Sequence, residues 1–283
     1  MISISIELPE AYILGEQMSK ELVGKQIESY DLKNYERLQK IGFLNRNIKE
    51  FDLLIDRKIT SIISRGNLIR VVLDKEVNLL IGPEYGGIIS YHEDRNNLLE
   101  KFHLLINFTD ETALTIRLKG MGLIYTFKDS ELEHSYLYRR DFSDVLSPLE
   151  DNFTANYFSE LLKGLNRGIK SILVGKDAIL VGLSNSAFQD IIYRAKIYPK
   201  VKGSNLSGQQ RKRLFESIKT VVIERIRLGG KFQFFDLYGN KGQYIPAMGP
   251  HMKAKTCTKC DSVIEKLSVG GGQVYYCAHC QAE

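Results

Sequence analysis

The four cysteines of the chain all fall near its C-terminal end, and their spacing limits the local fold more tightly than any other feature. Cys257-Thr258-Lys259-Cys260 and Cys277-Ala278-His279-Cys280 are two Cys-x2-Cys pairs with 16 residues between them, the pattern of a tetrahedral zinc site. Each pair suits a tight turn that aims two thiolates at one centre. Two such turns on a β-hairpin complete a closed tetrahedron with no position left open for chemistry. The hairpin itself is legible: Val263 to Val269 runs up, Gly270-Gly271-Gly272 turns, and Gln273 to Tyr276 runs back. One structural Zn2+ held by Cys257, Cys260, Cys277 and Cys280 is the expected cofactor. Two redox disulfides would be the competing reading, but no thioredoxin-like strand–helix pattern surrounds the pairs. His279 reads as a surface residue rather than a ligand.

The remaining chain, 283 residues in all, is long enough for two domains with separate cores. No apolar run approaches the roughly 20 residues of a membrane span. The start, Met1-Ile2-Ser3-Ile4-Ser5-Ile6-Glu7, lacks the basic flank and cleavage site of a signal peptide. A cytoplasmic location with no membrane partner is therefore expected. The net charge of +5 says little until it is mapped. From Arg194 to Lys231 there are eleven basic residues and only two acids, Glu216 and Glu224, a balance of +9 that exceeds the charge of the whole chain. A basic region on an otherwise acidic body is the footprint of a polyanion binder; a solvated helix face is the plainer alternative.

Residues 1–145 read as a β-rich domain with one helix at its start. Pro9 suits the first helical turn and Glu7 and Glu10 suit the positive N-terminal end; Ile13, Leu14, Met18 and Leu22 then recur at helical spacing until Gly24. Short β-branched runs follow at 59–63, 68–73, 77–81, 104–108, 114–118 and 123–127, with a spacing that predicts an antiparallel sandwich or barrel. Ser147-Pro148-Leu149-Glu150-Asp151 reads as a linker. Beyond it the period becomes helical over Phe153–Leu165, Ser186–Ala195 and Ser207–Leu228, with Ser207 as an N-cap and Gly229-Gly230 as a stop.

Three pieces in this order resemble the formamidopyrimidine-DNA glycosylase and endonuclease VIII family. They are Glu7-Leu8-Pro9-Glu10, then Gly182-Leu183-Ser184-Asn185 followed by Tyr193-Arg194-Ala195-Lys196-Ile197-Tyr198-Pro199, and the terminal four-cysteine ribbon. The resemblance implies an α+β protein: an N-terminal β-sandwich with flanking helices (1–145), a helix–two-turn–helix DNA-binding domain (146–245) and a β-hairpin zinc ribbon (246–283). It implies double-stranded DNA, damaged or abasic, as the partner, a nucleoid-associated place in the cytoplasm, and a monomer as the default state. Glu7 matches the family's general acid, with Glu10 beside it. Asn185 matches the asparagine that holds a phosphate near the flipped nucleotide, although a helix N-cap is an equal reading of that residue. Gly182 opens a turn that frees backbone N–H groups for a phosphate, and Lys170 reaches toward the same backbone. Lys241, in Gly239-Asn240-Lys241-Gly242-Gln243-Tyr244, lies where the family closes a mobile loop over the flipped base.

The family's chemistry, however, lacks its counterpart in these residues. The resemblance implies an amino-terminal proline whose secondary amine attacks the sugar, but alignment puts Ile6 at that position, inside the chain, where an amide nitrogen has no usable lone pair. In Ser64-Arg65-Gly66-Asn67, Asn67 stands where the family carries a phosphate-binding lysine, beside Arg65. Gly271-Gly272-Gln273 replaces the hairpin arginine, and Lys119-Gly120-Met121-Gly122 replaces the void-filling arginine and phenylalanine. Two readings follow. One is a DNA-binding protein that recognises damaged or distorted duplexes in base excision repair with impaired or lost glycosylase and lyase chemistry. The other is an active glycosylase and abasic-site lyase that uses a modified nucleophile. A third, a protein-docking module, would use Phe232, Phe234 and Phe235.

Overall fold

The computed structural model describes residues 6–83, 86–98, 101–142 and 144–282; Met1–Ser5 of the aligned start lie outside them. The chain folds as two compact units. The first comprises Met1–Ser143 and Leu228–Gln243, the second Asp144–Arg227 and Tyr244–Glu283.

In the first unit, helix α1 (Leu8–Leu22) precedes strand β1 (Ile27–Leu32), the short helix α2 (Glu36–Lys40) and strands β2 (Ile59–Arg65), β3 (Leu68–Leu73), β4 (Val77–Gly82), β5 (Ile88–His92), β6 (Leu104–Phe108), β7 (Ala113–Arg117) and β8 (Leu123–Lys128). Helix α3 (Tyr136–Phe142) ends it. The strands make two four-stranded antiparallel sheets, ordered β2-β3-β4-β8 and β1-β6-β7-β5. Alternate residues of the two sheets meet in one core: Ile69, Val71 and Leu73 of β3, Leu79 and Ile81 of β4, Leu104, Ile106 and Phe108 of β6, and Leu114 and Ile116 of β7. That period of two is what a sandwich requires. Met18 and Leu22 bring α1 into the same core. The opposite face of the β3–β4 pair is covered by a smaller cluster of Leu68, Leu80 and Leu123 with Tyr138 and Phe142 of α3. Six strands coincide with the six β-branched runs of the sequence. The other two, β1 and β5, carry Glu28, Ser29, Asp31, Ser90 and His92 and are mostly half-buried, which blurs their alternation.

In the second unit, α4 (Ala155–Lys163), α5 (Ile169–Leu173), α6 (Asn185–Ala195) and α7 (Gly208–Arg227) are followed by the hairpin of β9 (Glu265–Val269) and β10 (Gly272–Tyr276). Helix α7 buries Leu214, Ile218, Val221 and Val222, spaced as one helical face, and packs on α4 and α6; α6 packs also on β10. The hairpin register pairs Gly272 with Val269, leaving Gly270-Gly271 as the turn. The five-residue α5 is too short to leave a periodic signal in the sequence. Segment 228–243 folds with the first unit, whereas the sequence division put it with the helical domain. Its polar anchors on α1, described below, are single side chains that no composition shift announces.

The open edge of β8 is managed by a side chain. Asn45 is buried, donates through Nδ2 to the Thr126 carbonyl at 2.9 Å and accepts the Thr126 N–H through Oδ1 at 2.9 Å. Beside it, the Ile124 N–H donates to the Phe43 carbonyl at 2.9 Å. The 43–45 segment thus acts as a stub of a further strand that covers an otherwise unpaired edge. Asn45→Ala is expected to lower the unfolding free energy by about 2–3 kcal/mol, because both backbone groups of Thr126 lose their partner in the interior. Urea denaturation checks this, and a change below about 0.5 kcal/mol, the range of ordinary surface substitutions, would refute it.

Candidate functional site

The N-terminus of α1 gathers Glu7 and Glu10, the two acids singled out in the sequence. Pro9 lies in the first turn and Glu7 at the N-cap. The Glu7 N–H donates to Glu10 Oε2 at 3.1 Å, closing a capping-box contact. The two carboxylates are 1% and 0% exposed. Both meet Lys231, whose N–H donates to Glu10 Oε1 at 3.1 Å and whose Nζ lies 3.6 Å from Glu7 Oε2. Ile6, directly before Glu7, is buried in the hydrophobic core. In the sequence Lys231 is only one member of the basic run; nothing local marks it, since its partners are more than 200 residues away in the chain.

Segment 228–243 continues along α1. Gln17 Nε2 donates to Asp236 Oδ2 at 2.9 Å, Gln17 Oε1 accepts the Leu237 N–H at 3.0 Å, and the Tyr238 hydroxyl donates to Glu21 Oε1 at 2.7 Å. Lys241 places Nζ 3.6 Å from the centre of the exposed Phe232 ring, a cation–π contact. Phe234 is buried in the core, while Phe235 is exposed. Arg65 and Asn67 flank Gly66 in the β2–β3 turn. Arg65 Nη1 donates to the Asp141 carbonyl, the Asn67 N–H donates to the buried Asp141 carboxylate at 2.9 Å, and Arg140 donates to Asn67 Oδ1. Both residues are thereby tied to the end of α3.

In the second unit, Gly182 takes a left-handed φ of +71° just before Ser184, whose hydroxyl caps α6 by accepting the Ser186 N–H at 3.4 Å. Asn185 is the first residue of α6, so the cap belongs to Ser184. The Asn185 side chain reaches the hairpin instead: Nδ2 donates to the Gln273 carbonyl at 3.0 Å. Lys170 of α5 does the same, with Nζ donating to the Val269 carbonyl at 2.7 Å. Burial holds the Lys170 ammonium below the usual lysine range. Lys170, Asn185 and the hairpin tip are thus brought together. Buried Gln189 completes the attachment, accepting the Tyr275 N–H at 2.8 Å and donating to the Asn185 carbonyl at 3.0 Å. Its i+4 position after Asn185 was the one available signal.

Much of the basic run is spent inside the fold. Arg194 pairs with Asp190 at 3.0 Å and Glu224 at 3.5 Å. Arg211, Arg213 and Lys219 donate to the carbonyls of Leu206, Ala195 and Pro148, and Arg225 is buried. Lys196, Lys200, Lys202, Lys212 and Arg227 remain exposed. The charge balance of the segment therefore overstates what it offers a polyanion.

The four cysteines converge. Their Sγ atoms all lie within 4.8 Å of one another, with Cys257–Cys280 at 3.9 Å and Cys260–Cys277 at 3.4 Å, and none of the four is in a disulfide. The N–H groups of Lys259 and Cys280 donate to the sulfurs of Cys257 and Cys277 at 3.4 Å, as thiolate-stabilising turns do. The Tyr193 hydroxyl of α6 lies 3.1 Å from Cys257 Sγ. Hydrogen bonds from Ser262 pull the Cys260 thiol down to about 6. Four sulfurs in this arrangement suit a soft or borderline metal ion.

Comparison with known proteins gives a class to this combination of a sheet sandwich, a helical unit and a four-sulfur hairpin. Residues 145–235 match the family model described as the formamidopyrimidine-DNA glycosylase H2TH domain. The formamidopyrimidine-DNA glycosylase of Bacillus licheniformis is 30% identical over 283 residues, covering 97% of this chain and 98% of that protein; that of Ureaplasma parvum is 27% identical, covering 97% and 99%. The chain belongs to the formamidopyrimidine-DNA glycosylase family. Its fold is that of the Lactococcus lactis protein solved in a complex with an abasic site containing DNA, with a TM-score of 0.83, 21% identity and coverage of 98% of this chain and 100% of that one. A structure of MutM with carbocyclic 8-oxo-G containing DNA matches with a TM-score of 0.81 at the same identity. No helix among the described residues is long and apolar enough to cross a membrane.

Proposed function

We infer that this protein recognises damaged or distorted double-stranded DNA in base excision repair, and that the family's amino-terminal glycosylase and lyase chemistry is impaired or lost in it. The observation that carries the reading is Ile6. It precedes Glu7, the residue aligned with the family's general acid, yet its nitrogen belongs to the peptide bond with Ser5 and its side chain is packed in the core. An amide nitrogen, with its lone pair delocalised, cannot attack a sugar carbon. DNA as the partner is supported by the family and by the DNA complexes of its structural relatives.

The proposed division of labour follows the segments 1–145, 146–245 and 246–283, with 228–243 grouped with the sandwich unit it folds with. Lys170, Gly182 and Asn185 are the proposed phosphate contacts of the helical domain, and Arg65, Asn67 and Lys241 those of the sandwich unit. Glu7 and Glu10 are proposed to serve the fold at the start of α1. Zn2+ is the metal proposed for Cys257, Cys260, Cys277 and Cys280. With all four positions filled by sulfur, its contribution is to close the hairpin rather than to activate a water. A cytoplasmic, nucleoid-associated monomer is the form in which we expect the protein to act.

Elemental analysis of the purified protein is expected to return one zinc per chain, and chelation to unfold the hairpin, seen as lost amide protection at Val274 to Tyr276. Binding to a duplex with one abasic site is expected to weaken steeply as salt rises, through release of counterions. Lys170→Ala should lower the slope of log K against log salt by about one. Salt-insensitive binding, or no preference for the abasic duplex over intact DNA, would refute the reading.

A further inference from the structure

We propose that Lys231 is the positioning residue of the Glu7–Glu10 centre: an internal cation that makes this carboxylate pair a closed latch between α1 and segment 228–243. The inference goes beyond DNA recognition and rests on the first unit alone.

Two carboxylates at the start of one helix, both removed from water, require compensation, since an uncompensated buried charge costs several kcal/mol. The partial positive charge of the helix end supplies part of it. Ile6 adds no charge, because its nitrogen is an amide in the chain. Lys231 provides two separate contacts, one for each acid. Its N–H binds Glu10 and its ammonium faces Glu7. The side chains of the ion pair are 6% and 1% exposed, so neither charge has bulk water as an alternative partner.

The backbone around Lys231 is shaped to keep it there. Gly229 and Gly230 take left-handed φ values of +67° and +91°, a turn that a residue with a Cβ resists. A Cβ on Gly230 would lie 2.5 Å from the Phe234 ring, and one on Gly242 would lie 2.4 Å from the Lys231 carbonyl oxygen. The chain therefore passes Lys231 with the Phe234 ring against Gly230 and Gly242 against the Lys231 carbonyl. Further along, Gln17 and Glu21 hold Asp236, Leu237 and Tyr238. Glu10, Gln17 and Glu21 are spaced by seven and four residues and lie on one face of α1. Lys231 is the charged end of a row of anchors, and it locks the segment that carries the exposed Phe232 and Lys241. A neutral residue at this position would keep the amide contact with Glu10 and lose the ammonium that faces Glu7.

That difference is what the test isolates. Melting temperatures of the full chain, without DNA, are measured for wild type, E7Q, K231M, K231R and the double variant E7Q/K231M. Methionine keeps the length of the lysine stem, so packing is largely preserved and the charge is removed. K231M is expected to melt about 10 °C lower, as the loss of one partner of a buried pair implies. K231R should recover most of that loss. E7Q/K231M should melt above K231M, because the buried carboxylate that faced the ammonium is then neutral as well and the two losses do not add. A K231M protein that melts like wild type, or losses that simply add in the double variant, would overturn the latch. If K231M fails to fold, a double variant that also fails would overturn it, and one that folds would support it. No DNA enters the measurement, so its outcome is independent of the DNA-recognition reading.

Discussion

Two buried acids at the first turn of one helix set the terms for the sandwich unit. Glu7 and Glu10 are among its least exposed polar residues, and α1 can pack Leu14, Met18 and Leu22 into the core only if both charges are met where they enter it. The amide of Lys231 meets one and its ammonium the other. This explains why residues 228–243, which follow a helix of the second unit in the chain, fold with the first. The same geometry bears on chemistry. Glu7 faces an internal ammonium and follows the amide of Ile6, which is the basis for proposing a structural role for it.

The second unit depends on a comparable arrangement around its hairpin. Lys170, Asn185 and Gln189 each spend a hydrogen bond on the backbone of β9 or β10, and the Tyr193 hydroxyl sits against Cys257. Helix α6 is therefore fastened to the four-sulfur cluster at one end and to the hairpin tip at the other. A metal that closes the cluster would stiffen the support beneath Asn185, which connects the proposed zinc to the proposed phosphate contacts.

How much of this could be read in the sequence depended on the range of the interaction. The cysteine pairs, the six β-branched runs and the long α7 are local patterns, and each matches an element of the fold. Helix α5 was invisible because five residues cannot show a period, and β1 and β5 because their side chains are half-buried on both faces. The basic run was legible as charge but not as availability: Arg194, Arg211, Arg213 and Lys219 are committed to partners inside the fold. Lys231 shows the limit most clearly. Its role is defined by acids 221 and 224 positions earlier, and only the folded chain brings them together.

The proposed loss of the amino-terminal nucleophile is tested most directly on abasic DNA. Full-length protein is mixed with a duplex carrying one abasic site, and borohydride is added to reduce any imine. Bound, uncut DNA and no covalent adduct are expected, since the Ile6 nitrogen is an amide and the Lys231 ammonium is held against Glu7. A cut strand or a reduced adduct would contradict it, and an adduct mapped to Lys231 would show that the latch residue is itself a nucleophile.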